Sequence, residues 1–172
     1  APGWRTDMGR IYITLGEPKS IERFESDSEV YPTIIWFYQG LAAKGLPDSF
    51  NVVFFKQHGL GEYELYSPVK FGPQALMRNY EGDATSYEEA YYALLGIQPQ
   101  LAAVSLSLIT GEPVGITPSL ASELLIREKI PEMPQRTIKD IYASNLLKFK
   151  EQIEIDYADN YIESSSQLYV VF

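Results

Sequence analysis

Two short runs of strand-forming residues limit what this chain can fold into more than any other feature of its sequence. Residues 33–38 (Thr-Ile-Ile-Trp-Phe-Tyr) and 50–56 (Phe-Asn-Val-Val-Phe-Phe-Lys) are rich in β-branched and aromatic side chains and are bounded by turn residues. Residues 62–66 follow a short glycine-containing connection and alternate as a half-exposed strand does. Because the links are short, the sequence predicts an antiparallel meander, with residues 20–25 as a fourth, weaker strand.

The segment before the predicted sheet has the pattern of a helix. Apolar residues recur at i, i+3, i+4 and i+7 between positions 8 and 15. Thr6 or Asp7 can cap the first turn. Gly16 suits a left-handed position after the last turn, and Pro18 prevents continuation. A strand is the alternative, because residues 11–14 (Ile-Tyr-Ile-Thr) are strand formers, but the signals at both ends favour the helix.

Signals for helix ends are frequent in the second half of the chain. Ser86 and Glu89 form a capping box that opens a predicted helix over residues 87–95, and Gly96 closes it. The Thr-Pro pair at 117–118 is a good N-cap and N1 combination, so we expect another helix from there to about residue 129.

Alternation typical of strands returns in two places. Residues 101–109 alternate leucine and valine with serine, which predicts a strand, and residues 152–157 and 167–172 predict a terminal β-hairpin after a helix capped at Thr137. The predicted fold class is therefore α+β: an antiparallel meander of three to four strands packed by helices, then a helical segment and a terminal β-hairpin. We place a boundary within residues 77–85, which divides the chain into 1–76 and 77–172, with the second part packed on the first.

Composition argues against several classes of function. The net charge of -9 disfavours contact with phosphate backbones, so we expect no nucleic-acid partner. No apolar run approaches the ~18–20 residues that span a bilayer, so we expect no membrane insertion. The chain has no cysteine and one histidine, His58, which makes a transition-metal site unexpected. Phosphate-loop and dinucleotide fingerprints are missing, and no local context suggests a catalytic carboxylate pair, so we expect neither a cofactor nor enzymatic activity.

One compact group of residues near the start is the candidate binding site: Trp4, Arg5, Asp7, Arg10 and Glu17. An aromatic ring beside guanidinium and carboxylate groups, together with neighbouring tyrosines, is suited to hold a glycan or a peptide. The structural interpretation, which we favour, is that Trp4 fills the core and Asp7 accepts backbone N–H groups at a helix start, while an arginine pairs with Glu17. A helix cap alone contributes roughly 0.5–2 kcal/mol, which is enough to explain the Thr-Asp pair without a ligand.

The run Gly3-Trp4-Arg5-Thr6-Asp7, followed by Leu-Gly-Glu-Pro at residues 15–18, resembles the signature of the GWxTD-domain family, bacterial proteins whose biochemical role is not established. The resemblance extends through the predicted strands. It implies an exported protein of the periplasm, the cell envelope or the extracellular space.

We therefore expect a non-enzymatic structural or protein-interaction module of a larger exported bacterial protein, whose partners are other domains of the same chain or envelope proteins. The alternative is a glycan- or peptide-binding domain that uses Trp4, Arg5 and Asp7. The chain begins without Met and ends in the apolar run 168–172, so we expect a fragment of a longer protein. Its terminal strand would pair with a following domain or, in the fragment, form an edge-strand homodimer.

Overall fold

The computed structural model describes residues 2–113 and 115–133. The chain divides into two compact units, Ala1–Met133 and Pro134–Phe172, and all of the described residues belong to the first. The helix predicted from Thr137 and the predicted terminal hairpin lie outside the described residues.

Helix α1 (Asp7–Leu15) confirms the predicted helix and excludes the strand alternative. The hydroxyl of Thr6 caps it, accepting the Gly9 N–H at 3.0 Å and donating to the Gly3 carbonyl at 2.7 Å. The same hydroxyl thereby joins the helix to a short 3-10 turn, Gly3–Arg5. Gly16 follows the last turn with φ 81° and ψ -161°. Its φ is positive as predicted, but its ψ lies outside the left-handed helical region.

Four strands form one antiparallel sheet in the order β1-β2-β3-β4. They are β1 (Ser20–Phe24), β2 (Thr33–Gln39), β3 (Ser49–Phe55) and β4 (Glu64–Leu65). This confirms the predicted meander and its fourth strand. β4 is shorter than predicted, with only two residues in the strand. The ladder continues for one more hydrogen bond, from the Tyr66 N–H to the Val53 carbonyl at 2.8 Å.

Helix α2 (Tyr87–Ile97) begins at the predicted cap, where the Ser86 hydroxyl accepts the Glu89 N–H at 3.2 Å. The helix passes Gly96, the predicted stop, and ends at Ile97. Gln98 is extended (φ -142°, ψ 90°) because Pro99 disfavours the helical conformation in the residue before it.

The strand predicted over residues 101–109 is wrong, because most of this segment forms helix α3 (Pro99–Ser105). Pro99 sets the backbone angle of the first turn. The alternating pattern misled because Ser105 and Ser107 are buried as well as the leucines, so serine does not mark a solvent face here. Only the end of the segment is extended: the Leu108 carbonyl accepts the Asn51 N–H at 2.7 Å, beside an isolated bridge between Phe50 and Ile109.

Helix α4 (Leu120–Leu124) begins two residues later than predicted and continues into a π-helical turn, Leu125–Lys129. Ser119 is the cap, since its hydroxyl accepts the Ser122 N–H at 3.0 Å.

The central strands β2 and β3 are buried on both faces, by different helices, whereas β1 is largely exposed. On one face, the Tyr38 hydroxyl donates to the Gly16 carbonyl at 3.0 Å, and Trp36 meets Tyr12 of α1 edge-on, with ring centroids 6.3 Å apart. On the other face, the Tyr66 hydroxyl donates to the Ser105 carbonyl of α3 at 2.7 Å. Residues on both sides of the predicted boundary at 77–85 therefore share one hydrophobic core, for example Phe50 of β3 and Leu101 of α3.

Candidate functional site

Asp7 connects helix α1 to the edge of the sheet. Its Oδ2 accepts the N–H of Leu65 in β4 at 2.8 Å, across 58 residues of sequence, and its Oδ1 is paired with the Arg10 guanidinium. We expected Asp7 to accept N–H groups of its own helix. That interpretation is wrong, because the Thr6 hydroxyl accepts the N–H of Gly9 at the start of the helix. Asp7 is a scaffold residue, but it holds a strand rather than a helix end.

Trp4 lies on the surface. The residue is 60% exposed, so the interpretation that it fills the core is wrong. The turn Gly3–Arg5 buries none of its residues, and the aromatic position under α1 is taken by Trp36, which packs against Phe54 with centroids 4.9 Å apart. The Arg5 guanidinium lies 4.7 Å from the Trp4 ring centroid, a cation–π arrangement. Neither side chain is needed to complete the core.

The remaining two predicted residues do not join this pair. Arg10 pairs with Asp7 and not with Glu17. Glu17 is exposed and follows the far end of α1. A helix of nine residues is about 13 Å long at roughly 1.5 Å per residue, so Glu17 is separated from Asp7 by that length.

Further apolar side chains are exposed on α1 itself. Tyr12 is 50% exposed and Ile13 is 71% exposed, on the helix that follows the exposed turn carrying Trp4. Single exposed apolar residues are ordinary on protein surfaces, but a tryptophan, a tyrosine and an isoleucine on one short segment are typical of contact surfaces. We call Trp4, Arg5, Tyr12 and Ile13 the N-terminal surface.

A second region of interest is a cleft of about 440 Å³ between the chain that follows β4 and the helix that begins with α4. We call it the β4–α4 cleft. Its apolar walls are Leu65, Val69 and Ile126, and its polar groups come from Ser67, Lys70, Glu123 and Arg127. The sequence analysis missed this region.

The signal that could have identified the cleft is the Ser-x-x-Lys spacing of Ser67 and Lys70, which also occurs around serine nucleophiles. The geometry does not support that chemistry here. The Ser67 hydroxyl donates to Glu123 at 2.6 Å and accepts the backbone N–H of Lys70 at 3.0 Å. The Lys70 ammonium lies over the Phe71 ring, 4.6 Å from its centroid, so the proton of the hydroxyl is directed to Glu123 and not to Lys70.

The Glu123 carboxylate is held from two sides. Oε2 accepts the Ser67 hydroxyl, and Oε1 lies 3.6 Å from the Arg127 Nε, one helical turn further on. The Glu123 side chain is only 15% exposed, whereas Arg127 is largely in solvent. Glu123 therefore connects the turn at residues 67–71 to helix α4, and Arg127 stands at the mouth of the cleft.

A third group of polar side chains lies in the loop between α3 and α4. Glu112 accepts the hydroxyls of Ser119, at 2.6 Å, and of Ser107. The Ser122 hydroxyl accepts the Leu108 N–H at 2.8 Å. Each of these bonds closes the loop or caps a helix, so this network is explained by folding.

The described ranges, 2–113 and 115–133, contain neither of two further kinds of site, a metal centre or a membrane-spanning helix. These residues contain no group of three or more His, Asp or Glu side chains placed to hold a metal ion. Their helices are too short or too polar to cross a membrane. His58 sits in a loop with φ 56°, and its ring meets Tyr31 edge-on at 6.2 Å.

Asp7 thus belongs to one motif with Trp4 and Arg5 but has a different role, and the β4–α4 cleft begins at the strand that Asp7 holds. The likeness to GWxTD domains rests on the motif residues themselves. Comparison with protein-family models, with curated proteins and with solved structures gave no match to this chain.

Proposed function

We propose that this chain is a non-enzymatic protein-interaction module of a larger exported bacterial protein, and that the N-terminal surface binds its partner. The observation that carries the proposal is the exposure of Trp4 beside Arg5, in a motif whose Thr6 and Asp7 are committed to the fold. Tryptophan, tyrosine and arginine are the residues most enriched at the energetic centres of protein interfaces. The motif resemblance supports the exported setting, with other domains of the same chain or envelope proteins as partners.

The pair formed by Trp4 and Arg5 is suited to binding, because the guanidinium on one face of the indole holds the ring in place. An aromatic side chain buries roughly 150–250 Å² when covered, and apolar burial contributes about 25 cal/mol per Å². Covering the exposed part of Trp4 therefore stabilises a complex by roughly 2–4 kcal/mol. Arg5 covers one ring face, which leaves the second face and the guanidinium donors for the partner.

The second candidate function is glycan or peptide binding at the same ring, which the exposed indole face also favours. A sugar stacks on a flat aromatic face and does not require Tyr12 or Ile13. A protein partner would use the apolar side chains of α1 as well. Substitutions along α1 therefore distinguish the two functions.

The experiment is site-specific photo-crosslinking in the bacterium that produces the protein. A photoreactive residue at Ile13 should give a discrete cross-linked product, and the same residue at Leu60, which is 80% exposed in a loop, serves as the control position. Trp4→Ala and Arg5→Ala, each combined with the Ile13 probe, should remove the product while leaving urea denaturation unchanged. Equal products at both positions, or a product that survives Trp4→Ala, would count against the proposal.

The alternative is tested by fluorescence, since the chain has only two tryptophans. In Trp36→Phe the emission comes from Trp4 alone, and acrylamide quenches an exposed indole. A glycan that binds Trp4 should protect the indole from quenching in Trp36→Phe itself. It should protect the indole equally in Trp36→Phe that also carries Ile13→Ser. Protection that Ile13→Ser abolishes would favour a protein partner.

A further inference from the structure

We propose that the β4–α4 cleft binds a small amphiphilic monoanion, a carboxylate carried on a short hydrocarbon chain. This site is separate from the N-terminal surface and does not depend on the function proposed for it. The inference rests on the shape of the cleft, on its apolar walls and on the balance of charge at its mouth.

The walls of the cleft suit a hydrocarbon chain. Leu65, Val69 and Ile126 come from β4, from the following turn and from the helix opposite. The volume of about 440 Å³ lies near the lower end of the range of roughly 300–1,000 Å³ that small-molecule sites occupy. Val69 is partly exposed while Ile126 is buried, so the apolar surface runs from the mouth of the cleft towards its floor.

The charges at the cleft favour a single negative group on the ligand. Glu123 is already bonded to Ser67 and paired with Arg127, so its charge is balanced within the protein. The Lys70 ammonium lies over the Phe71 ring, and no carboxylate forms a salt bridge with it among residues 2–113 and 115–133. The cleft thus has one net positive charge in a chain whose net charge is -9.

A single carboxylate matches this arrangement better than a phosphate ester does. The Lys70 ammonium and the Arg127 guanidinium can both donate to one carboxylate at the mouth of the cleft. A dianionic phosphate would leave a second charge near the Glu123 carboxylate, which repels it. The hydrocarbon chain then lies along Leu65 and Ile126, where water is displaced from apolar surface.

The test is a titration with octanoate at pH 7, followed by the amide signals of the protein in two-dimensional NMR. We expect saturable shifts in residues 65–70 and 123–127. Acetate has the charge without the chain, and octanol has the chain without the charge. Octanol loses the charged hydrogen bond to Lys70 and acetate loses the burial of the hydrocarbon chain, so each should bind at least about tenfold more weakly than octanoate.

Three variants complete the test. Lys70→Gln should weaken octanoate binding roughly tenfold, and Val69→Glu, which places a carboxylate at the mouth, should abolish it. Lys129→Gln removes the same charge from an exposed position of the π-helical turn that does not line the cleft, and should change nothing. Urea denaturation confirms that each variant is folded. The proposal is overturned if octanoate gives no saturable shift, if octanol binds equally well, or if Lys129→Gln weakens binding as much as Lys70→Gln does.

Discussion

Replacing Asp7 with alanine tests the assignment of the motif acid to the scaffold. The substitution removes the acceptor of the Leu65 N–H, a hydrogen bond to a charged group worth roughly 1.5–3 kcal/mol. It also removes a negative charge from the first turn of α1, worth about 0.3–1 kcal/mol. The ion pair with Arg10 adds little, because the Arg10 side chain is exposed. We expect the free energy of unfolding to fall by about 2–4 kcal/mol.

The measurement is urea denaturation of the parent, Asp7→Ala, Asp7→Asn and Arg10→Ala. Asp7→Asn keeps an oxygen acceptor without the charge and should lose about 1 kcal/mol, while Arg10→Ala should lose less than about 0.5 kcal/mol. Hydrogen exchange gives a second readout, since the Leu65 amide should exchange faster in Asp7→Ala than in the parent. Amides in the middle of β2 and β3 should keep their relative protection.

Two outcomes would refute this reasoning. If Asp7→Ala changes stability by less than about 0.5 kcal/mol, the bond to Leu65 does not hold β4. If Arg10→Ala is as destabilising as Asp7→Ala, then the exposed ion pair stabilises the helix start and the strand contact is secondary.

The remaining predictions concern the packing of the domain. Gly9→Ala should destabilise the protein by about 1–3 kcal/mol in urea denaturation, because the added Cβ would lie 1.6 Å from the Gly3 carbonyl oxygen. In Gly96→Ala, within α2, the added Cβ meets nothing within 4 Å, so this substitution should stabilise the protein by about 0.5–1 kcal/mol in the same assay. Tyr66→Phe should lose about 1–2 kcal/mol at pH 7, because the Ser105 carbonyl is left without its buried partner. Burial holds the pKa of Tyr66 well above its usual value of 10.0, so above pH 10 the unfolded chain ionises while the folded chain does not, and parent stability should fall there more steeply than that of Tyr66→Phe. Equal pH dependence of parent and variant between pH 9 and 11.5 would contradict the last prediction.

The sheet and two helix starts could be predicted from the sequence because their signals are local. The strand runs carry dense β-branched and aromatic residues, and Thr6 and Ser86 cap their helices in the structure as the local pattern indicated. The start of α4 was not predictable in this way. Thr117 and Ser119 are both good caps, and a tertiary contact distinguishes Ser119, whose hydroxyl also donates to Glu112.

Two errors share a physical cause, which is that burial depends on contacts far along the chain. Serines 105 and 107 were interpreted as a polar face, but both are buried and bonded, so the alternation carried no information about the backbone. Trp4 was interpreted as core because large aromatics are usually buried. In the structure a second tryptophan, Trp36, occupies the space beneath α1, and Trp4 remains outside.

The motif therefore contains two kinds of residue. Thr6 and Asp7 make contacts that stabilise the fold, whereas Trp4 and Arg5 lie on the surface. A two-residue strand such as β4 has too few ladder bonds to be stable at a sheet edge by itself, and Asp7 supplies an additional bond from the other side. Leu65, held in this way, is a wall of the β4–α4 cleft, and Ser67, two residues later, fixes Glu123 across it. The position of the cleft wall thus depends on an acid that never touches the cleft. Trp4 and Arg5 make no such contact with the sheet, and for that reason we propose that they can bind a partner without loss of stability to the fold.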